Sequence, residues 1–139
     1  MHVIVTTCTA EKRPDRGVLP AGVRYLGARI DHARQCARQQ GRPLFIFSGV
    51  YGLLAESDPV VWYDHALQPE EVASAAQDLA ASLMKAGVRQ ITAIVEARDA
   101  PGWAPYHDVL EQGSRSAGVT VQVELWTEPR PVGADADLD

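Results

Sequence analysis

LFIFSG, residues 44–49, begins with four consecutive apolar residues. A strand with no polar face belongs in the interior of a sheet covered on both sides, the usual place of a parallel strand. HVIVTTC (2–8) and VRQITAIVEA (88–97) have the same β-branched, apolar character, and between these runs lie segments with helical spacing. From Gly22 to Gln40, Val23, Leu26, Ile30, Ala33 and Ala37 recur at helical intervals, and Gly41 with Pro43 supplies a stop. QPEEVASAAQDLAASLMKAG (68–87) has proline and glutamates in its first turn, apolar Val72, Ala76, Leu79 and Leu83, and a closing Gly87. APYHDVLEQGSRSAG (104–118) reads as a third helix and VTVQVELWT (119–127) as a fourth strand. The expected fold is a single three-layer α/β domain over residues 1–128, with a mainly parallel sheet of about four strands and helices on both faces. PRPVGADADLD, residues 129–139, has no period and reads as a mobile acidic tail.

A chain of 139 residues fits one such domain. No apolar run approaches the length that crosses a bilayer, so no membrane partner is expected. The N-terminal MHVIVTTC lacks the basic leader of an export signal; a cytoplasmic protein is expected, with Cys8 and Cys36 as reduced thiols. His2, His32, His65 and His107 are scattered, with no spacing to cysteine or carboxylate that resembles a zinc site, so neither a metal nor another cofactor is expected. The net charge of −5 argues against avid binding to duplex nucleic acid. Residues 1–43, however, hold eight Lys/Arg against Glu11, Asp15 and Asp31, a segment able to receive a small anionic ligand. The alternative is that Arg24, Arg29, Arg34 and Arg38 form a solvated helix face. The oligomeric state is left open.

In parallel α/β sheets, ligands collect beyond the carboxyl ends of the strands. The first strand delivers Cys8 and Thr9 there, the second Ser48-Gly49-Val50-Tyr51-Gly52, and the third Glu96; all are expected to face one crevice. In TCTAEK (7–12), Thr7, Thr9 and nearby backbone N–H groups suit an anionic or carbonyl oxygen, and Lys12 a phosphate. Cys8 is either a packed small hydrophobe or a presented nucleophile. Ser48 and Gly49 allow close backbone approach, Gly52 a positive φ, and Tyr51 either stacks on a planar ring or plugs the core. In WYDHAL (62–67), Asp64 and His65 are titratable groups that could equally cap a turn. Glu96 ends an apolar strand, where burial would favour its neutral form. Tyr106, after Trp103, opens the last helix at the same edge.

FSGVYGLL, followed by Pro59, a hydrophobic pair and Tyr63-Asp64-x-x-Leu67, resembles the core signature of the YaaA-type superfamily, an S-x-x-Y-G-L-L turn followed by a P-Y-R or P-Y-D element. TCTAEK resembles the C-S-x-x-K opening of short bacterial and phage relatives and, more loosely, a motif of the archaeosine synthase core domain. Cys8, Thr9, Lys12, Ser48, Gly49, Tyr51, Gly52, Tyr63, Asp64 and Leu67 fall on motif positions. Tyr106 matches a tyrosine that such relatives carry at a late helix. Trp62 stands where the family has proline, and the chain lacks the helical hairpin region of the longer peroxide-stress YaaA proteins. The resemblance implies a pocket for a nucleobase or nucleotide-like compound. The expected function is therefore a small enzyme acting on a nucleotide, nucleoside or modified base, by N-glycosidic cleavage or base-modifying transfer. Glu96 and Asp64 are the catalytic carboxylates in that reading, because an oxocarbenium-like transition state needs one nearby. The alternatives are a non-catalytic nucleotide-binding or nucleic-acid-associated stress module, and a transferase that depends on the Cys8 thiol.

Overall fold

The structure is a computed structural model and describes residues 1–127; the segment expected to be a mobile tail lies outside the described residues. Strands β1 (His2–Thr7), β3 (Leu44–Ser48), β6 (Gln90–Val95) and β7 (Thr120–Leu125) are the four apolar runs of the sequence. They are joined by a short β4 (Gly52–Ala55) in a five-stranded sheet of order β4-β3-β1-β6-β7. The sheet thus has five strands rather than four. β1 pairs in parallel with β3 and β6, and β6 with β7, while β4 folds back antiparallel on β3. The extra strand exists because Gly52, at φ 76°, turns the chain and lets Leu53 and Leu54 pair with Phe47 and Ile46. A separate antiparallel ribbon joins β2 (Val18–Pro20) to β5 (Pro59–Val61).

Alternation along β1 divides the core into two faces. Val3 and Val5 pack with Leu79 and Leu83 of α3 (Val72–Ala86) and with Tyr106, Val109 and Leu110 of α4 (Ala104–Ala117). Ile4, on the opposite face, packs with Ala33 and Ala37 of α2 (Ala28–Gln40) and with Leu44 and Ile94. Helices therefore cover both faces. A 3₁₀ turn at Pro69–Glu71 precedes α3, and a capping box between Gln68 and Glu71 satisfies its first backbone donors.

The helix expected over 22–40 is broken. A short α1 (Ala21–Arg24) stops at Tyr25, and α2 begins only after Gly27. The cause is tertiary: residues 24–26 form a strand-like contact with the loop leaving β1, Arg13 N–H donating to the Arg24 carbonyl at 2.8 Å and Leu26 N–H to the Glu11 carbonyl at 3.1 Å. Gly27 supplies the φ of 128° that restarts the helix.

α3 and α4 touch most closely at Gly113. A β-carbon there would stand 2.9 Å from Leu79 Cδ2 and 3.0 Å from the Ala76 carbonyl oxygen. Gly113→Ala is expected to destabilise the fold by about 1–3 kcal/mol through overpacking, lowering the denaturant midpoint without changing its slope; an unchanged midpoint would show that the helices can separate.

Candidate functional site

The parallel core of the sheet runs outward from β1 in both directions, first to β3 and later to β6, so the switch point lies between β1 and β6. Continuing the registers Thr7↔Phe47 and Thr6↔Ile94 past the strand ends sets Cys8 level with Ser48 on one side and Glu96 on the other. A cleft of about 420 Å³ opens there. Its walls include Cys8, Thr9 and Lys12 from the loop after β1, Arg29 from α2, Asp64 and His65 from the loop after β5, Glu96 from the end of β6, and Trp103 and Tyr106 at the start of α4.

The loop after β1 is shaped by its own hydrogen bonds. Thr9 Oγ1 donates to the Glu11 carbonyl at 2.6 Å and Thr7 Oγ1 to the Cys8 carbonyl at 3.3 Å. Both threonines therefore keep acceptor capacity for a ligand, while their protons are spent on the loop. Arg29 is buried, correcting the expectation of a solvated side chain. Its guanidinium donates to Thr6 Oγ1 at 2.6 Å and to the Thr7 and Cys8 carbonyls at 2.9 and 3.3 Å, and lies 4.8 Å over the Trp103 ring. It fixes the exit of β1 and brings positive charge to the cleft wall. Arg24 is buried too, and ties a loop rather than facing solvent. Arg34 is half-buried against Glu56 and Asp31, and of the four arginines Arg38 alone is fully on the exposed surface.

Cys8 is half-buried, with Sγ 3.6 Å from Tyr106 Oη. Tyr106 Oη accepts the Leu67 N–H at 3.1 Å, and either it or the Cys8 thiol can donate in the contact between them. A second hydroxyl chain runs behind the cleft. Ser48 Oγ accepts the N–H groups of Val50 and Tyr51, both at 3.1 Å, so its proton goes to Tyr63 Oη at 2.6 Å, and that of Tyr63 to Tyr25 Oη at 2.6 Å. Burial, with a further contribution from the Cys8 sulfur, pushes the Tyr63 and Tyr106 hydroxyls above the ordinary tyrosine range. Both remain protonated donors at neutral pH. Lys12 Nζ lies 4.6 Å from the Tyr63 ring centroid, a cation–π contact that holds the ammonium at the rim.

Glu96 is half-buried, less enclosed than the end of an apolar strand suggested. Its backbone is held by His107, whose Nε2–H donates to the Glu96 carbonyl at 2.6 Å. Asp64 is exposed and lines the same cleft. His65, beside it, contacts Glu71 Oε1 at 2.8 Å.

The expectation of one crevice needs correction. Ser48, Gly49, Tyr51 and Gly52 line a different hollow of about 360 Å³, closed by Ala75, Asp78, Ala81 and Ser82 of α3. Tyr51 packs edge-on against Tyr63, centroids 5.5 Å apart. Gly49 serves close packing inside the protein, since a β-carbon there would stand 3.1 Å from Leu67 Cβ. The structure thus brings Cys8, Thr9, Lys12, Asp64, Glu96 and Tyr106 together, and sets Ser48, Gly49, Tyr51, Gly52 and Tyr63 behind or beside them. Sequence reasoning missed Arg29 as a wall residue. Its signal was present: Arg29 lies three residues after Leu26 and four before Ala33, within the apolar stripe of its helix.

No protein-family model, curated protein or solved structure matches the chain. Among the described residues no helix is long and apolar enough to cross a membrane.

Proposed function

We propose that the chain is a small enzyme acting on a nucleotide, nucleoside or modified nucleobase bound in the β1/β6 cleft, by N-glycosidic cleavage or base-modifying transfer. One observation carries this reading: two carboxylates, Glu96 and Asp64, line the same cleft as the cations of Lys12 and Arg29 and the indole of Trp103. The resemblance to YaaA-type proteins points to the same ligand class. Arg29 lies over the Trp103 ring; in this reading the base lies beside that indole in the cleft, and Lys12 at the rim takes a phosphate. Glu96 stabilises or attacks the anomeric carbon as positive charge develops there, Asp64, the more exposed of the two, protonates the departing base, and water, or an acceptor in the transfer reaction, takes the anomeric carbon. Tyr51, which sequence reasoning placed against the base, has no part in this arrangement.

A nucleoside and nucleotide panel tests it by thermal shift and by chromatography of released base. Binding to the native state raises the melting temperature, and glycosidic chemistry yields free base from at least one member. Stabilisation without any released base would favour a sensor over a glycosidase; no stabilisation would remove the ligand class.

A specific contact favours a second reading, a transferase using the Cys8 thiol. The Tyr106 hydroxyl lies 3.6 Å from Sγ, within reach to orient the sulfur, and Cys8 lines the cleft. In that case Cys8 should be alkylated by iodoacetamide near neutral pH, bound ligand should protect it, and Cys8→Ser should be inactive. An unreactive Cys8 and a fully active serine variant would leave the thiol as packing.

A further inference from the structure

His32 and Cys36 stand one helical turn apart on α2, and β7 brings Glu124 beside them. One ligand atom from each of the three residues can be chosen so that all lie within 4.8 Å of one another. We propose that this corner binds one divalent ion of the zinc class, with the Cys36 thiolate, a His32 imidazole nitrogen and the Glu124 carboxylate as ligands. The i,i+4 spacing is the one by which a helix offers two side chains to a metal from a single face. Cys36 Sγ and His32 Nε2 are 3.5 Å apart. Two ligands on a tetrahedral zinc, with bonds of about 2.3 Å to sulfur and 2.0–2.1 Å to nitrogen, are separated by about 3.6 Å. The pair therefore already has the required bite, and the exposed Glu124 brings a carboxylate oxygen within 4.8 Å of both.

The surroundings suit an ion of this kind. The Trp126 ring lies 5.1 Å from the His32 ring, tilted by 31°, and restrains the imidazole. The indole N–H of Trp126 is buried without a partner among the described residues; as a donor only, it can serve a carboxylate or water that ligates the ion, not the ion itself. A thiolate–imidazole–carboxylate set selects zinc-like ions over magnesium or calcium, whose preferred ligands are oxygens. Three protein ligands leave one position for water or an exogenous group. The bound ion would tie α2, the helix that carries Arg29 to the cleft, to the edge strand β7. Spacing along the sequence concealed this group because its third member arrives from the last strand of the sheet.

The test uses the full chain, stripped with a chelator and titrated with Co²⁺. One equivalent is expected to give tetrahedral visible bands and a thiolate-to-cobalt charge-transfer band, both lost on adding one equivalent of Zn²⁺. Cys36→Ala is expected to abolish the charge-transfer band and His32→Ala to weaken binding at least 100-fold. Glu124→Gln should weaken it about tenfold, while Cys8→Ala leaves the spectrum unchanged. Zn²⁺ should raise the melting temperature of the wild-type chain and Mg²⁺ should not. Far-ultraviolet circular dichroism checks that each variant is folded; should Cys36→Ala not fold, His32→Ala and Glu124→Gln carry the test. Absence of a charge-transfer band in the wild type, or a band that survives Cys36→Ala or disappears in Cys8→Ala, overturns the proposal. So does a folded His32→Ala or Glu124→Gln that binds with unchanged affinity.

Discussion

Glu96→Gln is expected to lower release of free base by about 10²-fold or more, while the stabilisation conferred by ligand persists. The substitution keeps the shape of the side chain and removes the charge that an oxocarbenium-like transition state needs. It should leave the wall intact, because the contact that positions Glu96 is made by its backbone carbonyl to His107 and not by its carboxylate. Ligand binding, carried by Lys12, Arg29 and Trp103 in this reading, is then separable from chemistry, and the loss falls on kcat rather than KM. Asp64→Asn supplies the contrast. As proton donor to the base, Asp64 should matter most for substrates with poor leaving groups and least for those whose base departs as a stable anion. If Glu96→Gln is unimpaired and Asp64→Asn is dead, the reaction class survives and the two roles are exchanged. If neither substitution changes base release, the carboxylates of this cleft are not the catalytic pair.

The parallel heart of the fold was legible because β1, β3 and β6 are apolar on both faces, and only a covered sheet interior accommodates such runs. Because parallel strands end at the same edge, the clustering of Cys8 and Glu96 there follows; that β1 lies between β3 and β6 is seen only in the structure. β4 was not legible: GLLA is four residues including its glycine, too short for a period to show, and its pairing is decided by the turn at Gly52. Nor did the sequence reveal which hollow each motif faces. Strand register fixes the level of a residue at the sheet edge, but the turn after Ser48 carries Tyr51 to the α3 side while Ser48 itself bonds Tyr63. Helical spacing is continuous through Leu26 and predicts one helix over 22–40, whereas backbone bonds to the loop at 11–13 interrupt it. Arg24 and Arg29 look solvated in the sequence because arginine is seldom enclosed without partners; here backbone carbonyls bond both, with Thr6 Oγ1 and the Trp103 ring also meeting Arg29, and spacing along the sequence labels none of these.

Removing the guanidinium of Arg24 is expected to destabilise the fold more than overpacking at Gly113 does. The side chain is fully buried, and it donates to four carbonyls: Val60 at 3.2 Å, Arg13 at 2.6 Å, Asp15 at 2.8 Å and Gly17 at 2.8 Å. Residues 13–17 lie outside the named helices and strands, so this guanidinium does for the loop what a neighbouring strand would do elsewhere. Arg24→Met fills most of the volume but leaves the buried Val60 carbonyl and three half-buried loop contacts without their donor, and an unsatisfied buried group costs about 1–3 kcal/mol. Partial hydration of the loop offsets some of this, and the expected net loss is about 3–5 kcal/mol by denaturant unfolding. Arg24→Lys retains the charge but not the planar fork that reaches three loop carbonyls at once, and should lose less. The effect reaches the cleft because the same loop carries Lys12, whose backbone bridges to Tyr25. A folded Arg24→Lys chain is therefore expected to bind phosphate-bearing ligands more weakly than their nucleosides, relative to wild type. A loss of under about 1 kcal/mol in Arg24→Met would mean that water satisfies the loop carbonyls, and the guanidinium would then be no more than one of several ways to close it.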